Sequence, residues 1–447
     1  MRGDCLKGQL CPIDENENYY YFVTDMPKMS QTDISTFERP SLWRRLPMLL
    51  AVFGPGLVVM LADTDVGSVI TAAQSGVQWG YKLLLPQFIL MPVLYIVQEL
   101  TVRLGIFTGK GHGELIREAF GPSWAWVSAT GLTVAVFGAL LTEFSGVEGV
   151  GDLFGVPHYL SLGLSALFLL LIVFTGSYKR VERVAIIIGL FELAFFFVAW
   201  AARPHLGPMI SESVHIPVFN AQYEYLVAAN IGAVIMPWMV FYQQSAIADK
   251  KLTAAHFKAA RWDTAVGSVV TQLVMAAVLI AAAASIRPHA PNASLNTVGD
   301  VSKAMTPYLG AEFGRLIFSA GVLGAGLIAA IVVSLALAWG LGEVSGYRHS
   351  LEHHPLKAKW FYGVYALCVI GGALTVGLVQ NLISLNIGVQ VMNALLLPLV
   401  LGFLVRLAIV TLPEAQRLKG GYLWVVTIVC VITCVFGVLG GIFGLFW

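Results

Sequence analysis

The sequence predicts an all-α membrane protein with eleven transmembrane helices, arranged as two inverted repeats of five helices and one additional helix. Of the 447 residues, 57% are hydrophobic and 12% are charged, and that charged fraction is about half the usual one for soluble domains. Many apolar runs are long enough to cross a hydrocarbon core about 30 Å thick. The net charge of +1 gives no reason to expect a nucleic-acid partner.

Polar stretches divide the chain into a tail and eleven spans. Residues 1–42 are polar and are predicted to form a disordered cytoplasmic tail. The predicted spans are 46–77, 81–104, 123–150, 157–176, 181–202, 222–248, 257–286, 310–346, 358–380, 382–411 and 422–447. Residues 46–202 are predicted to be the first repeat, 222–411 the inverted second repeat, and 422–447 the additional helix 11.

The distribution of Lys and Arg predicts the orientation. If the N terminus is cytoplasmic, the loops on that side collect most of the 27 Lys and Arg residues. The opposite side holds Lys82, Arg203, Arg287, Lys303 and Arg315. The positive-inside rule therefore predicts a cytoplasmic N terminus and an extracytoplasmic C terminus. We expect the plasma (inner) membrane of a prokaryote.

Two carboxylates interrupt the first apolar span. The segment 61–68 reads Leu-Ala-Asp-Thr-Asp-Val-Gly-Ser, with Asp63 and Asp65 in the middle of the span. An ionised Asp at the bilayer centre costs at least about 2.5 kcal/mol on insertion scales. Such a residue is tolerated where it faces a cation or water. The segment predicts a broken helix with a functional acid.

A proline interrupts the sixth span, the counterpart of the first in the second repeat. Pro237 follows Met236, has no amide hydrogen and clashes with the preceding turn, so the carbonyls near Ala233 are freed from the helix. Irregular backbone at membrane depth is tolerated where it lines a cavity or is buried in protein. Paired breaks in corresponding helices are typical of a transporter's substrate site, and their carboxylate, hydroxyl and carbonyl oxygens favour a hard cation.

Five segments carry a resemblance to a known family. Residues 54–56 (Gly-Pro-Gly), 65–68 (Asp-Val-Gly-Ser), 80–84, 104–110 and 232–237 (Gly-Ala-Val-Ile-Met-Pro) resemble the NRAMP divalent-metal transporters. The resemblance covers most of residues 46–411. It implies the amino-acid-transporter type of inverted-repeat fold (LeuT-like), with helices 1 and 6 unwound.

The resemblance also implies a set of site residues. It places the metal ligands at Asp65, Ser68, the carbonyl of Ala233 and the Met236 thioether. The residues expected around the ion or along its access path are Asp63, Thr64, Gly67, Pro237, Trp238, Glu143, Gln390 and Asn393. Other roles stay open: Asp65 or Ser68 can cap a half-helix, and Met236 and Trp238 can simply pack.

The chain departs from the family pattern at positions next to the expected ion site. The family has Asp-Pro-Gly-Asn in helix 1, where this chain has Val66 for the proline and Ser68 for the asparagine. In helix 6, Trp238 replaces a histidine. These departures resemble the NRAMP-related magnesium transporter branch. Serine is shorter than asparagine and leaves space for water, which Mg²⁺ usually keeps, whereas a thioether suits softer metals.

Several residues that the resemblance ties to proton transport are missing from this chain. The acidic pair of helix 3 is represented by Glu143, with Leu140 at the other position, and the arginines of helix 9 have no counterpart near 361–363. We therefore predict an importer of Mg²⁺, also accepting Mn²⁺, that works by alternating access without proton coupling and is driven by the membrane potential and the ion gradient. Its expected partners are the divalent ion and the lipid bilayer, with no cofactor and no obligate protein partner.

Two other transport functions stay open. One is a proton-coupled Mn²⁺/Fe²⁺ transporter of the NRAMP type. The other is a sodium-coupled symporter of an organic cation or amine on the same fold, because a cationic substrate would also be attracted to Asp65.

Three further acidic residues have separate expectations. Glu99 and Glu192 lie in the second and fifth spans and are expected to pair or to reach an interface. Residues 149–152 (Gly-Val-Gly-Asp) resemble the motif of intramembrane aspartyl proteases. Asp152 is predicted at the outer end of the third span, too far from mid-depth to share a proton with Asp63 or Asp65. We therefore expect no enzymatic activity.

Overall fold

A computed structural model describes residues 54–217, 220–290, 295, 298–302, 312–378 and 385–446. The predicted tail over 1–42 lies outside the described residues, as do the beginnings of the predicted first, eighth and tenth spans and the end of the ninth. The described residues belong to one compact unit, which is helical.

The first half of the chain begins with two short helices separated by a break and continues with longer ones. These helices are α1 (Pro55–Asp63), α2 (Val66–Trp79), α3 (Leu84–Thr108), α4 (His112–Phe120), α5 (Pro122–Leu153), α6 (His158–Val173), α7 (Tyr178–Gly189), α8 (Ala194–Ala201) and α9 (Leu206–Ser213). A 3₁₀ turn, Leu190–Leu193, joins α7 to α8 within the predicted fifth span.

The second half repeats this pattern of a broken helix followed by long helices. These helices are α10 (Ala221–Val234), α11 (Pro237–Asp249), α12 (Phe257–Ser285), α13 (Phe313–Ser345), α14 (Lys359–Leu378), α15 (Leu385–Val410) and α16 (Gly420–Phe446). In the described residues, each predicted span corresponds to a helix or to a pair of helices. The all-α membrane fold and both predicted breaks are therefore confirmed.

The predicted count of eleven transmembrane helices is not confirmed. By length and composition, nine helices among the described residues could cross a membrane, and α6 is a shorter apolar helix. One span is missing from the count because α6 has only 16 residues, and the other is lost at the first two predicted spans. Only nine residues of the first half-helix are described, and α2 continues through a 3₁₀ turn into α3 as one apolar stretch, Val66–Thr108.

Two short helices lie where the sequence predicts loops. Helix α4 contains charged residues but buries Leu115 and Ile116, whereas α9 buries none of its residues. A search for long apolar runs misses both, because nine or eight residues cannot cross a bilayer.

The long helix α13 lies at the centre of the packing. It contacts α5, α14, α11 and α1. Helix α12 contacts α1, α2 and α3, while α10 packs against α15 and α16. The broken pairs α1–α2 and α10–α11 are thereby enclosed by continuous helices. Irregular backbone at this depth is therefore buried in protein, as a membrane environment requires.

A glycine sets the distance between α10 and α15. A Cβ atom at Gly232 would collide with the backbone carbonyl oxygen of Gln390 and would lie 2.8 Å from the backbone nitrogen of Ala394. Backbone atoms cannot rotate away as a side chain can. Gly232 therefore allows the half-helix before the second break to lie directly on α15.

We expect Gly232→Ala to destabilise the folded protein by about 1–3 kcal/mol, because an added methyl group would force these two backbones apart. Gly371→Ala in α14 is the matched control, since a Cβ there meets no atom within 4 Å. Thermal unfolding of the purified proteins, followed by size-exclusion chromatography after heating, measures the effect. Equal midpoints for the two variants would contradict this account of the packing.

Candidate cation site at the paired helix breaks

Asp65 lies in the first break. One of its carboxylate oxygens caps helix α2, and the other is available to a ligand. Its backbone is extended, and its Oδ1 atom accepts a hydrogen bond from the Ser68 amide at 2.6 Å. The same oxygen accepts one from the Gln390 side-chain amide at 3.3 Å. Oδ2 is buried and accepts no hydrogen bond from a backbone, amide or hydroxyl donor of the described residues, although the Glu143 carboxyl group lies close enough to share a proton with Asp65. The cap therefore uses one oxygen and leaves the other for a ligand.

A serine hydroxyl joins the two breaks. The Ser68 hydroxyl donates to the carbonyl oxygen of Ala233 at 3.0 Å, across 165 residues of sequence. The alternative that Ser68 caps α2 is wrong, because the N-cap residue is Asp65. Three of the four predicted ligands thus meet at one junction, which combines a carboxylate, a hydroxyl and a carbonyl.

The fourth predicted ligand, Met236, lies at the second break. The chain is extended at Ile235 and Met236, and Pro237 begins α11. Met236 is completely buried. Trp238, in the first turn of α11, is also completely buried, and its indole nitrogen has no acceptor in the described part of the chain. Burial of this kind is compatible with packing for both side chains.

Two amide side chains on α15 support Asp65. Asn393 donates to the Gln390 oxygen at 3.0 Å, and Gln390 in turn donates to Asp65. Gly67 makes room for this contact, because a Cβ at that position would collide with the Gln390 side-chain nitrogen. The predicted residues Gly67, Gln390 and Asn393 therefore lie together beside the first break.

Glu143 on α5 accepts a hydrogen bond from the start of α2. Its Oε2 atom accepts from the Val66 amide at 3.2 Å, and its Oε1 atom accepts from Thr142 at 3.0 Å. The Val66 side chain fills space left by Gly146, where a Cβ would collide with it. A valine has the amide hydrogen that a proline lacks. Valine at this position therefore lets Glu143 bind the first turn of α2.

Asp63 and Thr64 contact α12. The two hydroxyls of Thr64 and Thr271 are 2.7 Å apart, and Thr271 donates to Oδ2 of Asp63 at 3.4 Å. The other oxygen of Asp63 is buried and accepts no hydrogen bond from any described residue. The sequence prediction missed Thr271, because one threonine in an apolar helix carries no local signal.

The expectations for Glu99 and Glu192 have different outcomes. Glu99 is paired, with its carboxylate 2.6 Å from Arg103. Glu192 is fully buried and reaches no surface, and the Thr64 hydroxyl lies close enough to interact with its carboxylate. Helix α13 packs against the 3₁₀ turn that carries Glu192.

The junction of the breaks is closed to solvent in this conformation and lacks positive charge. Asp63, Asp65, Ser68, Ala233 and Met236 are each at most 1% exposed. No Lys or Arg in the described ranges is buried, and the ion pairs found there do not involve the carboxylates of the first break. An uncompensated carboxylate in a low-dielectric interior is costly, so the junction favours a cation.

The donor atoms limit which cation fits. Among the described residues, no three His, Cys, Asp or Glu side chains converge on a position that could hold a metal ion. Carbonyl, hydroxyl, amide and water oxygens would have to complete the coordination. Hard cations that keep part of their water shell accept such a set.

A family model and several relatives match the chain. The model described as "Natural resistance-associated macrophage protein-like" matches residues 56–441. The divalent metal cation transporter MntH of Brucella suis biovar 1 is 28% identical over 303 residues, which are 64% of this chain and 65% of that protein. The protein of the same name from Klebsiella pneumoniae (strain 342) is 26% identical over 353 residues, 76% of this chain and 83% of that one. The chain thus spans just under two thirds of the Brucella relative.

Solved structures share the fold. A manganese transporter from Eremococcus coleocola, solved in a mutant form, aligns with a TM-score of 0.75 and 18% identity over 94% of this chain and 92% of that chain. A Na⁺-coupled sialic acid symporter aligns with a TM-score of 0.55 and 12% identity over 89% of this chain and 90% of that chain. At these identities the likeness concerns the fold alone.

We expect Gly67→Ala to weaken the affinity for a divalent cation by about 10–100-fold, as is typical when the groups that orient a ligand are lost. The added methyl group would push the Gln390 amide away from Asp65. Isothermal titration with Mn²⁺ measures the change. In a double-mutant cycle with Gln390→Ala, Gly67→Ala should cause no further loss, and additive losses would contradict the proposed coupling.

Proposed function

The chain belongs to the natural resistance-associated macrophage protein-like (Nramp) family, and on that premise we propose that it imports Mg²⁺, with Mn²⁺ also accepted, by alternating access around the paired breaks. One observation carries the proposal. The Asp65 Oδ2 atom, which accepts no hydrogen bond from a backbone, amide or hydroxyl donor of the described residues, lies at the junction where the Ser68 hydroxyl meets the Ala233 carbonyl. A doubly charged ion would compensate the carboxylate and take these oxygens as ligands.

The selectivity proposal depends on the size and hardness of the ligands. Ser68 is a short ligand whose hydroxyl already contacts Ala233, so part of the coordination sphere is left for water. Mg²⁺ sheds water reluctantly and usually keeps several molecules when it binds proteins. The Met236 thioether, where it contacts the ion, favours a softer metal. This combination supports Mg²⁺ with Mn²⁺ as a second substrate, and Ca²⁺ is not expected.

We propose that transport is not coupled to protons because other residues stand where the family has its proton-transporting residues. Leu140 and Phe361 are apolar and buried. Tyr362 is buried too, and its hydroxyl donates to the His353 carbonyl at 2.9 Å. Glu143 is engaged by the Val66 amide. The contacts of Leu140, Phe361 and Tyr362 are ones that packing side chains make, and they support uncoupled transport.

The membrane potential alone can drive the proposed import. Moving two charges through 100 mV is worth about 4.6 kcal/mol. That free energy corresponds to a concentration ratio of about a thousandfold or more. An abundant ion such as Mg²⁺ requires no stronger driving force.

The proposed orientation has a cytoplasmic N terminus in a prokaryotic inner membrane. Several basic loops meet at one end of the bundle, where Lys250 pairs with Glu182 at 2.7 Å and Arg103 donates to the Gln416 carbonyl at 3.3 Å. Arg287, assigned to the outside, pairs instead with Glu212 at 2.8 Å. The clustering of these basic loops at one end of the bundle supports the assignment of that end to the cytoplasm by the positive-inside rule.

Alternating access requires the closed junction to open toward each side in turn. We propose that the two breaks, Thr64–Asp65 and Ile235–Met236, are the hinges, because these residues lie outside the helices that flank them. The proposed repeats, 46–202 and 222–411, each begin with one broken helix. Helix α16 packs on α10 from outside this pair.

We expect Asp65→Ala to weaken Mg²⁺ and Mn²⁺ binding by about a hundredfold or more, since loss of orienting groups alone costs about 10–100-fold. Isothermal titration measures both ions. Glu343→Gln on α13 is the control, because that buried acid contacts Ser245 and the Gly113 amide and not the breaks. Unchanged affinity in Asp65→Ala would remove Asp65 from the site.

In proteoliposomes with an inside-negative potential, we expect Mn²⁺ influx that Mg²⁺ suppresses by competition and that Ca²⁺ does not. Because no proton moves with the ion, a pH dye inside the vesicles should stay constant during influx. A sodium gradient should not change the rate. Metal-dependent acidification would support the proton-coupled alternative, and sodium-dependent amine uptake without metal flux would support the organic-cation symporter.

A further inference from the structure

Glu192 is a buried acid to which the proposed binding site assigns no role. It is 0% exposed, and neither of its carboxylate oxygens has a hydrogen-bond partner among the described residues. The Thr64 hydroxyl is close enough to interact with Glu192, and it also contacts the Thr271 hydroxyl at 2.7 Å. An ionised carboxylate buried in this way requires a compensating positive charge.

The fold places Glu192 against the first break. It belongs to the 3₁₀ turn Leu190–Leu193 in the middle of an otherwise α-helical span, and such turns often mark functional positions. Two glycines permit the close approach. A Cβ at Gly189 would lie 2.8 Å from the Leu61 side chain, and one at Gly324 would lie 2.7 Å from the Ile188 carbonyl.

Asp63 is the natural partner of Glu192 in a ligand site. Glu192 is close enough to Asp63 and Asp65 for the carboxylates to repel one another when ionised, and a bound cation would relieve that repulsion. Asp63 uses one oxygen to accept from Thr271, and its other oxygen is buried without a donor in the described ranges. Helices α1, α12 and the turn after α7 thus supply two carboxylates and two threonine hydroxyls to one place.

The two sites lie at opposite ends of helix dipoles. Asp65 caps the N-terminal end of α2, where the helix dipole is positive and stabilises a carboxylate. Asp63 is the last residue of α1, where the dipole is negative and stabilises a cation. None of the ion pairs of the described residues reaches Asp63 or Glu192.

We propose that Asp63 and Glu192, with the hydroxyls of Thr64 and Thr271, form a second binding site for a hard divalent cation, next to the Asp65 site on the N-terminal side of the first break. The inference rests on the proposed function, since the ion reaches this relay site from Asp65. Two carboxylates neutralise a dication. Because all of these ligands are oxygens and none is a thioether, the site does not favour soft metals. Repulsion between two dications keeps the two sites from being filled together.

The relay site has a definite place in the transport cycle. Helix α1 leads toward the cytoplasm in the proposed orientation, so the relay site lies on the inward side of Asp65. An ion released from Asp65 would be held for a short time by the weaker relay site before it leaves. The second site would thereby favour inward release.

Mn²⁺ binding to purified protein, followed by the electron paramagnetic resonance signal of the free ion, tests the proposal. Asp65→Ala should retain saturable binding, about a hundredfold or more weaker than in the wild type. Adding Glu192→Gln to this variant should weaken the residual binding by at least about tenfold, a loss in the range expected for metal-site groups. Asp63→Asn in the same background should give the same loss. Glu182→Gln is the matched control on α7, since that residue pairs with Lys250, and should leave the residual binding unchanged.

The possible results separate the two proposals. No saturable Mn²⁺ binding in Asp65→Ala, or residual binding that neither Glu192→Gln nor Asp63→Asn changes, would overturn the relay site and leave the proposed function intact. Wild-type affinity in Asp65→Ala would overturn the proposed primary site and the relay with it. Size-exclusion elution at the wild-type volume verifies folding, and Asp63→Asn gives an independent reading of the same pocket if Glu192→Gln does not fold.

Discussion

Uncompensated negative charge in the middle of the bundle is the constraint on which the rest of this structure depends. Asp63, Asp65, Glu143 and Glu192 are each at most 1% exposed, and no Lys or Arg of the described ranges is buried with them. A low-dielectric interior penalises such groups unless donors or cations satisfy them. The fold supplies backbone amides to Asp65 and Glu143. It leaves oxygens of Asp63, Asp65 and Glu192 without donors among the described residues, as expected where a mobile ion provides the missing charge.

The two breaks solve a second problem, which is how to expose backbone oxygens at membrane depth. A continuous helix uses its carbonyls internally, whereas the break at Ile235 and Met236 leaves the Ala233 carbonyl to accept from Ser68. Close packing makes this possible, because Gly67 and Gly232 let α15 approach both broken helices. Gln390 uses that proximity in both places: its side chain binds Asp65, and its backbone lies on Gly232. One segment of α15 therefore positions both halves of the site.

Valine in place of the family's proline connects helix geometry with the acidic group on α5. The Val66 amide donates to Glu143, a contact that proline cannot make. An acid held in this way at the start of α2 stabilises the helix terminus. The same substitution that departs from the family pattern thus gives Glu143 a structural partner. The proposed loss of proton coupling and the proposed preference for a hydrated ion would both follow from changes confined to the first break and its neighbours.

The sequence by itself determined the apolar spans, the positions of both breaks and the identity of the residues at them, because hydropathy, an acid in an apolar run and a proline in a helix are local signals. Only the tertiary structure decided which side chains meet there. Ser68 reaches Ala233 across 165 residues and Gln390 reaches Asp65 across 325. Glu192 shows why the sequence could not predict these contacts. A uniformly apolar span does not indicate which of its faces turns toward the protein interior. From the sequence alone, an acidic residue in such a span can face a partner, an interface or the ion. The packing of three helices around one 3₁₀ turn determines which way Glu192 faces. That packing cannot be predicted from the pattern of residues in a single span.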